Sequence, residues 1–144
     1  MNFMNLQEII RGKISVFVNQ VQLYPYMMLG AAGCWSIHAW LGPTPVLRAR
    51  DACLAGDWKL AKGICMSMAN LMGPGGPPTP QALQWRESSM KLAANEAGDC
   101  HAGPLRPPFR NVPDAVKERA KEIAKRWIAL CSLYAPETRR AAGA

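Results

Sequence analysis

Few residue types in this 144-residue chain could carry chemistry: two histidines, His38 and His101, five cysteines, and one indole-rich run. That run is Gly33-Cys34-Trp35-Ser36-Ile37-His38-Ala39-Trp40-Leu41-Gly42-Pro43, which sets two indoles, an imidazole and a hydroxyl in a short apolar stretch. Neither histidine lies in an HExxH or other paired-ligand spacing, so each reads as a polar side chain satisfied by its surroundings, and no metal site is expected. Cys34, Cys53, Cys65, Cys100 and Cys131 are odd in number and contain no CxxC pair. This usage fits small buried apolar residues in a reducing, cytoplasmic compartment and argues against a disulfide framework. The dinucleotide-binding glycine fingerprint, the P-loop and the nucleophile elbow are all absent. Asp51 and Asp57 fall near helix ends, where capping accounts for them.

What remains is the end of the indole-rich run. In parallel α/β sheets, sites collect at the C-terminal ends of strands, so Trp35 and Ser36 are candidates for lining a pocket. Core packing is an equally open role for Trp35. Alternation along a strand predicts Trp35 and Ile37 on one side, with Ser36 and His38 on the other.

The elements that must position these residues are legible in part. Residues 14–18 (ISVFV) are β-branched and aromatic and read as a buried strand. Residues 23–29 read as a short helix with Pro25 in its first turn, stopped by Gly30, and residues 34–38 as a second strand. Strand, short helix and strand without alternation predict a parallel βαβ unit covered on both faces. Pro45 can open a helix running to Ala55, and Asp57 can cap one over 58–72, where Ala61, Ile64, Cys65, Met68 and Leu71 form a core stripe. Beyond a loop at 73–80, a helix over 81–97 ends at Gly98, and residues 101–109 read as a rigid extended connector. A last helix from 113 to 134 places Val116, Ala120, Ile123, Trp127, Cys131 and Tyr134 on one face.

Composition bounds the class. The 49% hydrophobic and 19% charged content is that of a globular chain, and the 12 prolines cluster at two points without forming a low-complexity tract. The net charge of +7 is spread among acidic residues, as in Lys117-Glu118-Arg119-Ala120-Lys121-Glu122, so a solvated helix face is expected and no nucleic-acid partner. No Asp, Glu, Lys or Arg occurs over residues 14–47, yet Asn19, Gln20, Gln22, Pro25, Gly30 and Gly33 interrupt that window, which argues against a membrane span. The N-terminus shows no signal-peptide pattern.

Three stretches together resemble a known family. Leu29-Gly30-Ala31-Ala32-Gly33-Cys34-Trp35-Ser36 is followed by a Gly-Pro break and by a helix ending Cys53-Leu54-Ala55-Gly56-Asp57-Trp58. Ala102-Gly103-Pro104-Leu105-Arg106-Pro107-Pro108-Phe109 comes after them. In this order they resemble the C-terminal half of the dihydrodipicolinate synthase / N-acetylneuraminate lyase family. With Asn95 in Lys91-Leu92-Ala93-Ala94-Asn95-Glu96-Ala97-Gly98, they most resemble the hydratase-aldolases acting on aromatic benzylidenepyruvates.

The resemblance implies an α/β fold: the last two strands of a (β/α)8 TIM barrel over residues 1–56, a helical extension over 57–135, and a frayed tail at 136–144. It further implies class I aldolase chemistry on a small 2-keto acid, without a cofactor, through a lysine Schiff base to a pyruvate unit. Trp35, Ser36, Asn95 and Asn19 are the implied substrate-binding residues, with Trp35 stacking on an aromatic substrate. Two departures accompany the likeness. The family's Schiff-base lysine lies on the sixth strand, before the part matched here, and Lys13 is not its equivalent. The turn after the seventh strand, usually glycine followed by acidic residues, is Val18-Asn19-Gln20. The expected partner is thus a second copy or a complementing barrel half. The alternative is a catalytically inactive helical packing or oligomerisation module.

Overall fold

The computed structural model describes residues 2–10, 12–71 and 80–136. The loop expected at 73–80 and the tail expected at 136–144 lie outside them, apart from Pro80 and Pro136. The described residues are mostly helical, with one small parallel sheet of two strands.

The elements run α1 (Phe3–Ile10), β1 (Phe17–Asn19), a 3-10 turn (Gln20–Gln22), α2 (Leu23–Met28), β2 (Gly33–Trp35) and a second 3-10 turn (His38–Leu41). They continue with α3 (Thr44–Leu54), α4 (Trp58–Leu71), α5 (Pro80–Gln84), α6 (Arg86–Ala97) and α7 (Asp114–Leu133). Two compact units result. Of the described residues, the first comprises those up to Ser36 together with Pro45–Ala69; the second comprises Ile37–Thr44 and those from Asn70 onward.

In the first unit, the expected parallel pairing is present: β1 pairs with β2, with Phe17 opposite Gly33, Val18 opposite Cys34 and Asn19 opposite Trp35. The ladder is shorter than the apolar runs suggested. Ile14 is exposed, and only the Ala32 N–H to Val16 carbonyl bond (2.9 Å) extends the pairing before Phe17. The expectation of burial on both faces is not met, since Phe17 is 58% and Trp35 52% exposed. The physical reason is that two strands alone leave one sheet face with no element of this unit to cover it.

α4 follows its pattern closely. The Asp57 carboxylate accepts from the Leu60 N–H at 3.0 Å, and Ala61, Ile64, Cys65 and Met68 are buried at helical spacing. α1 had no counterpart in the sequence expectations. It is capped by Asn2, whose side chain accepts from the Asn5 N–H at 3.0 Å, and Phe3 packs edge-on against Tyr26 with ring centroids 4.5 Å apart.

In the second unit, the strand expected over 34–38 has already ended: Ile37 is in the right-handed helical region, and the chain turns through His38–Leu41. The alternation expected of Ser36 and His38 is therefore not realised. His38 is 4% exposed and stacks on Trp127, with ring centroids 5.1 Å apart and planes at 26°. The indole N–H of Trp127 donates to the Gly42 carbonyl at 2.8 Å, tying the loop before α3 to the middle of α7.

Gly42 is required there by geometry. Its φ of +128° is open to glycine, and a Cβ would lie 2.7 Å from both Asp99 Oδ2 and Cys131 Sγ. α7 buries Ala120, Ala124, Trp127 and Leu130, so its seam is rotated slightly from the expected face. Its solvent face carries the ion pairs Asp114–Lys117, Glu118–Lys121 and Glu122–Arg126.

The single helix expected over 81–97 is divided at Trp85, whose indole meets Phe109 edge-on at 6.0 Å. The connector expected to be extended over 101–109 closes in a turn, with the Phe109 N–H donating to the Arg106 carbonyl at 3.0 Å. No helix among the described residues is long and apolar enough to cross a membrane.

Two outcomes follow from the Gly42 and His38 geometry. Gly42→Ala combines backbone strain with overpacking and is expected to lower stability by about 3 kcal/mol. Gly56→Ala, with φ +73° but open space around it, is expected to cost only about 1 kcal/mol. Urea midpoints of the two variants check the contrast. Burial, and after it the Arg86 guanidinium, lowers the His38 pKa from 6.5 to about 4. Between those values the unfolded chain binds the proton and the folded chain does not. Stability should thus fall as pH drops from 6.5 to about 4, by up to about 1.4 kcal/mol per pH unit, and level off below. Urea titrations from pH 7 to 4 read this slope, which His38→Gln should remove.

Candidate functional site

The candidate residues are built from the strand ends outward. Because β1 and β2 run parallel and in register, Asn19 and Trp35 are direct partners at their C-terminal ends and share one face of the sheet. Two residues earlier on that face, the Phe17 ring lies across Gly33, where a Cβ would come within 3.1 Å of it. Trp35 presents its indole to solvent above this platform. Asn19 uses its side-chain oxygen to accept from the Val21 N–H at 3.2 Å, which turns the chain out of β1, while its NH2 group provides donors at the strand end.

Behind the pair, Ser36 donates its hydroxyl hydrogen to the Gln20 side-chain oxygen. Gln20 is 2% exposed, and its backbone carbonyl accepts from the Cys65 thiol at 3.7 Å. This lock joins the ends of both strands to α4. Sequence reasoning placed Gln20 in the turn without giving it a role. The signal available was a polar residue directly after an apolar strand, inside a window without charge.

Electrostatics narrow the chemistry. Burial, then the neighbouring Cys65, raises the Cys34 pKa; burial also raises Cys65. Burial, followed by the other two thiols, pushes Cys53 up to about 11, and burial with Asp99 does the same for Cys131. These four thiols are protonated at neutral pH and do not serve as nucleophiles. Among the described residues no lysine is buried, and no group of His, Cys, Asp and Glu is arranged to hold a metal. Lys13 is exposed on the N-terminal side of β1, away from Asn19 and Trp35. A cleft of about 620 Å³ in the first unit also opens at that opposite end, lined by Met4, Gln7, Lys13, Ile14, Met28 and Leu29. The strand-end groups, by contrast, can stack a flat ring and donate hydrogen bonds; none of them is a general base or nucleophile.

Asn95 belongs to the second unit, near the C-terminus of α6. Its Nδ2 donates to the Gly103 carbonyl at 3.0 Å, and its Oδ1 accepts from the Ala102 N–H at 2.7 Å. The Lys91 ammonium donates to the Pro104 carbonyl at 2.7 Å. Asn95 thus clamps the Gly-Pro loop. His101, one residue earlier, is exposed.

No protein-family model matches the chain. Over 110 residues it is 31% identical to the trans-o-hydroxybenzylidenepyruvate hydratase-aldolase of Pseudomonas aeruginosa, covering 72% of this chain and 33% of that protein. Over 107 residues it is 32% identical to the Pseudomonas putida enzyme of the same name, covering 69% and 32% respectively. This chain is a homologue of part of the hydratase-aldolases. It spans about a third of the length of those curated relatives. Its fold is also similar to PhdJ, solved bound to a substrate intermediate, with a TM-score of 0.78 and 25% identity, covering 92% of this chain and 43% of PhdJ.

Asn95→Ala strands two half-buried backbone groups of the hydratase-aldolase homologue, at 102 and 103, and is expected to destabilise it by about 1–3 kcal/mol. Urea unfolding, together with faster amide exchange at Ala102, measures this.

Proposed function

We propose that this chain forms the last two βα units of a (β/α)8 barrel, over 1–56, with a helical extension over 57–135. In this reading it contributes the substrate-binding residues Trp35, Ser36 and Asn19 to a lyase. The reaction class is that of a hydratase-aldolase, cleaving an aromatic benzylidenepyruvate-type substrate to pyruvate and an aldehyde. The observation that carries the proposal is the register Asn19 opposite Trp35 at the C-terminal ends of two parallel strands, in a chain homologous to part of such enzymes. That end of a parallel sheet is where α/β folds place their sites.

The chemistry divides accordingly. A lysine condenses with the keto carbon of the substrate, releasing water and leaving a protonated imine. After hydration of the conjugated double bond, the carbon-carbon bond to the hydroxyl-bearing carbon breaks. Its electron pair flows into the imine to give an enamine while the hydroxyl loses its proton and the aldehyde departs; the enamine carbon then takes up a proton, and water frees pyruvate from the lysine. Trp35 stacks against the aromatic end, worth about 1 kcal/mol beyond area burial. Asn19 and Ser36 offer polar contacts beside it, while Asn95 sets the loop at 102–104. The nucleophilic lysine is assigned to a segment other than the described residues, because such a lysine needs burial to be deprotonated and none described here is buried.

Borohydride reduction in the presence of pyruvate, followed by intact-mass measurement of the 144-residue chain, tests this division. No adduct is expected. A mass increase matching a reduced pyruvate adduct would place the nucleophile in this chain and overturn the assignment. In parallel, an aromatic hydroxyaldehyde should quench the indole fluorescence, with affinity about fivefold weaker in Trp35→Ala; equal affinity would remove Trp35 from the site.

A further inference from the structure

The cleft at the N-terminal ends of β1 and β2 has no part in the site above, which lies at their other ends. Its walls belong to one unit and are tied to each other. On one side stands α1, whose Met4, Gln7 and Glu8 recur at helical spacing and so share a face. On the other lies the end of α2, held to α1 by the contact of Phe3 with Tyr26. Backbone bonds fix the chain where it enters the strands: the Lys13 N–H donates to the Ile10 carbonyl at 2.8 Å, and the Ala32 N–H to the Val16 carbonyl at 2.9 Å. The volume of about 620 Å³ falls in the range of small-molecule sites, about 300–1,000 Å³.

Two chemistries meet on these walls. Met4, Ile14, Met28 and Leu29 are all exposed, yet all four line this one concavity. Apolar side chains scattered singly over a surface need no explanation, but four gathered in a cleft mark a place for an apolar group. Beside them stand one carboxylate, Glu8, and one ammonium, Lys13, and among the described residues neither makes an ion pair. Gln7 adds a carboxamide whose Nε2 is shielded from solvent and has no acceptor among the described residues. Gly30 keeps the space beside that amide clear, since a Cβ there would lie 3.6 Å from Nε2. Rotation about the last torsion of Gln7 turns this donor toward an acceptor in the cleft.

We infer that this cleft binds a free α-amino acid with an apolar side chain. The charges decide the class. Glu8 and Lys13 cancel, so a lone carboxylate would be opposed by Glu8 and a lone amine by Lys13, whereas a zwitterion answers both. Its carboxylate pairs with Lys13 and accepts from Gln7 and Ser15, and its ammonium donates to Glu8. Its side chain lies on Met4, Ile14, Met28 and Leu29, where the two thioethers adapt to its shape. The inference is independent of the lyase reading, because none of these residues belongs to the strand-end site.

The test titrates the isotope-labelled 144-residue chain with L-methionine at low salt and follows its amide resonances. Saturable shifts are expected at residues 12–15 and 28–32, with half-saturation at about 1 mM or below. N-acetyl-L-methionine, without the ammonium, and L-methioninamide, without the carboxylate, should each bind about tenfold more weakly. Glycine, a zwitterion without an apolar side chain, should give no saturable shift. Lys13→Gln should weaken L-methionine about tenfold and leave L-methioninamide unchanged. Glu8→Gln should weaken L-methionine by about as much and leave N-acetyl-L-methionine unchanged. The unchanged analogue in each variant also reports that the variant keeps its fold. No saturable shift with L-methionine, shifts confined to other residues, equal affinity for glycine or for either analogue, or a matching loss of the analogue in its variant would each overturn the proposal.

Discussion

The parallel register of two three-residue strands is the constraint on which the candidate site depends. Placing Asn19 opposite Trp35 sets a donor and an indole side by side at the strand ends, and it brings Gln20 within reach of the Ser36 hydroxyl. A slip of one residue would send the indole to the half-buried face and the Cys34 thiol to solvent. Few hydrogen bonds define such a short ladder. Specificity of register therefore comes from what flanks it: the Phe17 ring seated over Gly33, the Gln20–Ser36 bond, and the Cys65 thiol against the Gln20 carbonyl.

The second unit is organised by a different anchor. Trp127, fully buried at the centre of α7, stacks on His38 with its face and donates to the Gly42 carbonyl with its edge. One side chain thereby holds both ends of the segment between β2 and α3. Asn95 and Lys91 do the same for the Gly-Pro loop after α6, through backbone carbonyls and one N–H. Polar side chains here are spent on loop geometry, which is how irregular backbone is kept satisfied when it leaves a helix.

The homology and the geometry bear on function at different levels. Matching about a third of two hydratase-aldolases names a chemistry for the relatives. The described residues themselves offer stacking and hydrogen-bond donors, four thiols held protonated by burial, and no buried lysine. These groups can stack a flat ring and donate hydrogen bonds, and none of the four thiols is a nucleophile at neutral pH.

Local signals alone determined much of this protein. Pro45, Gly56 and Asp57 punctuated α3 and α4, the stripe from Ala61 to Met68 marked the buried face of α4, and the apolar runs around Phe17 and Cys34 marked a parallel pair. Capping, helical period and glycine stops act within a few residues, so they are readable in order along the chain. Tertiary structure alone decided where β2 ends, because His38 leaves the strand direction to stack on Trp127, 89 residues away. It also decided that α6 begins only after Trp85, whose ring turns toward Phe109, that Gln20 is the buried partner of Ser36, and that Asn95 clamps a loop. Each of these depends on a contact between segments distant in sequence, whose energy no local pattern of residues encodes.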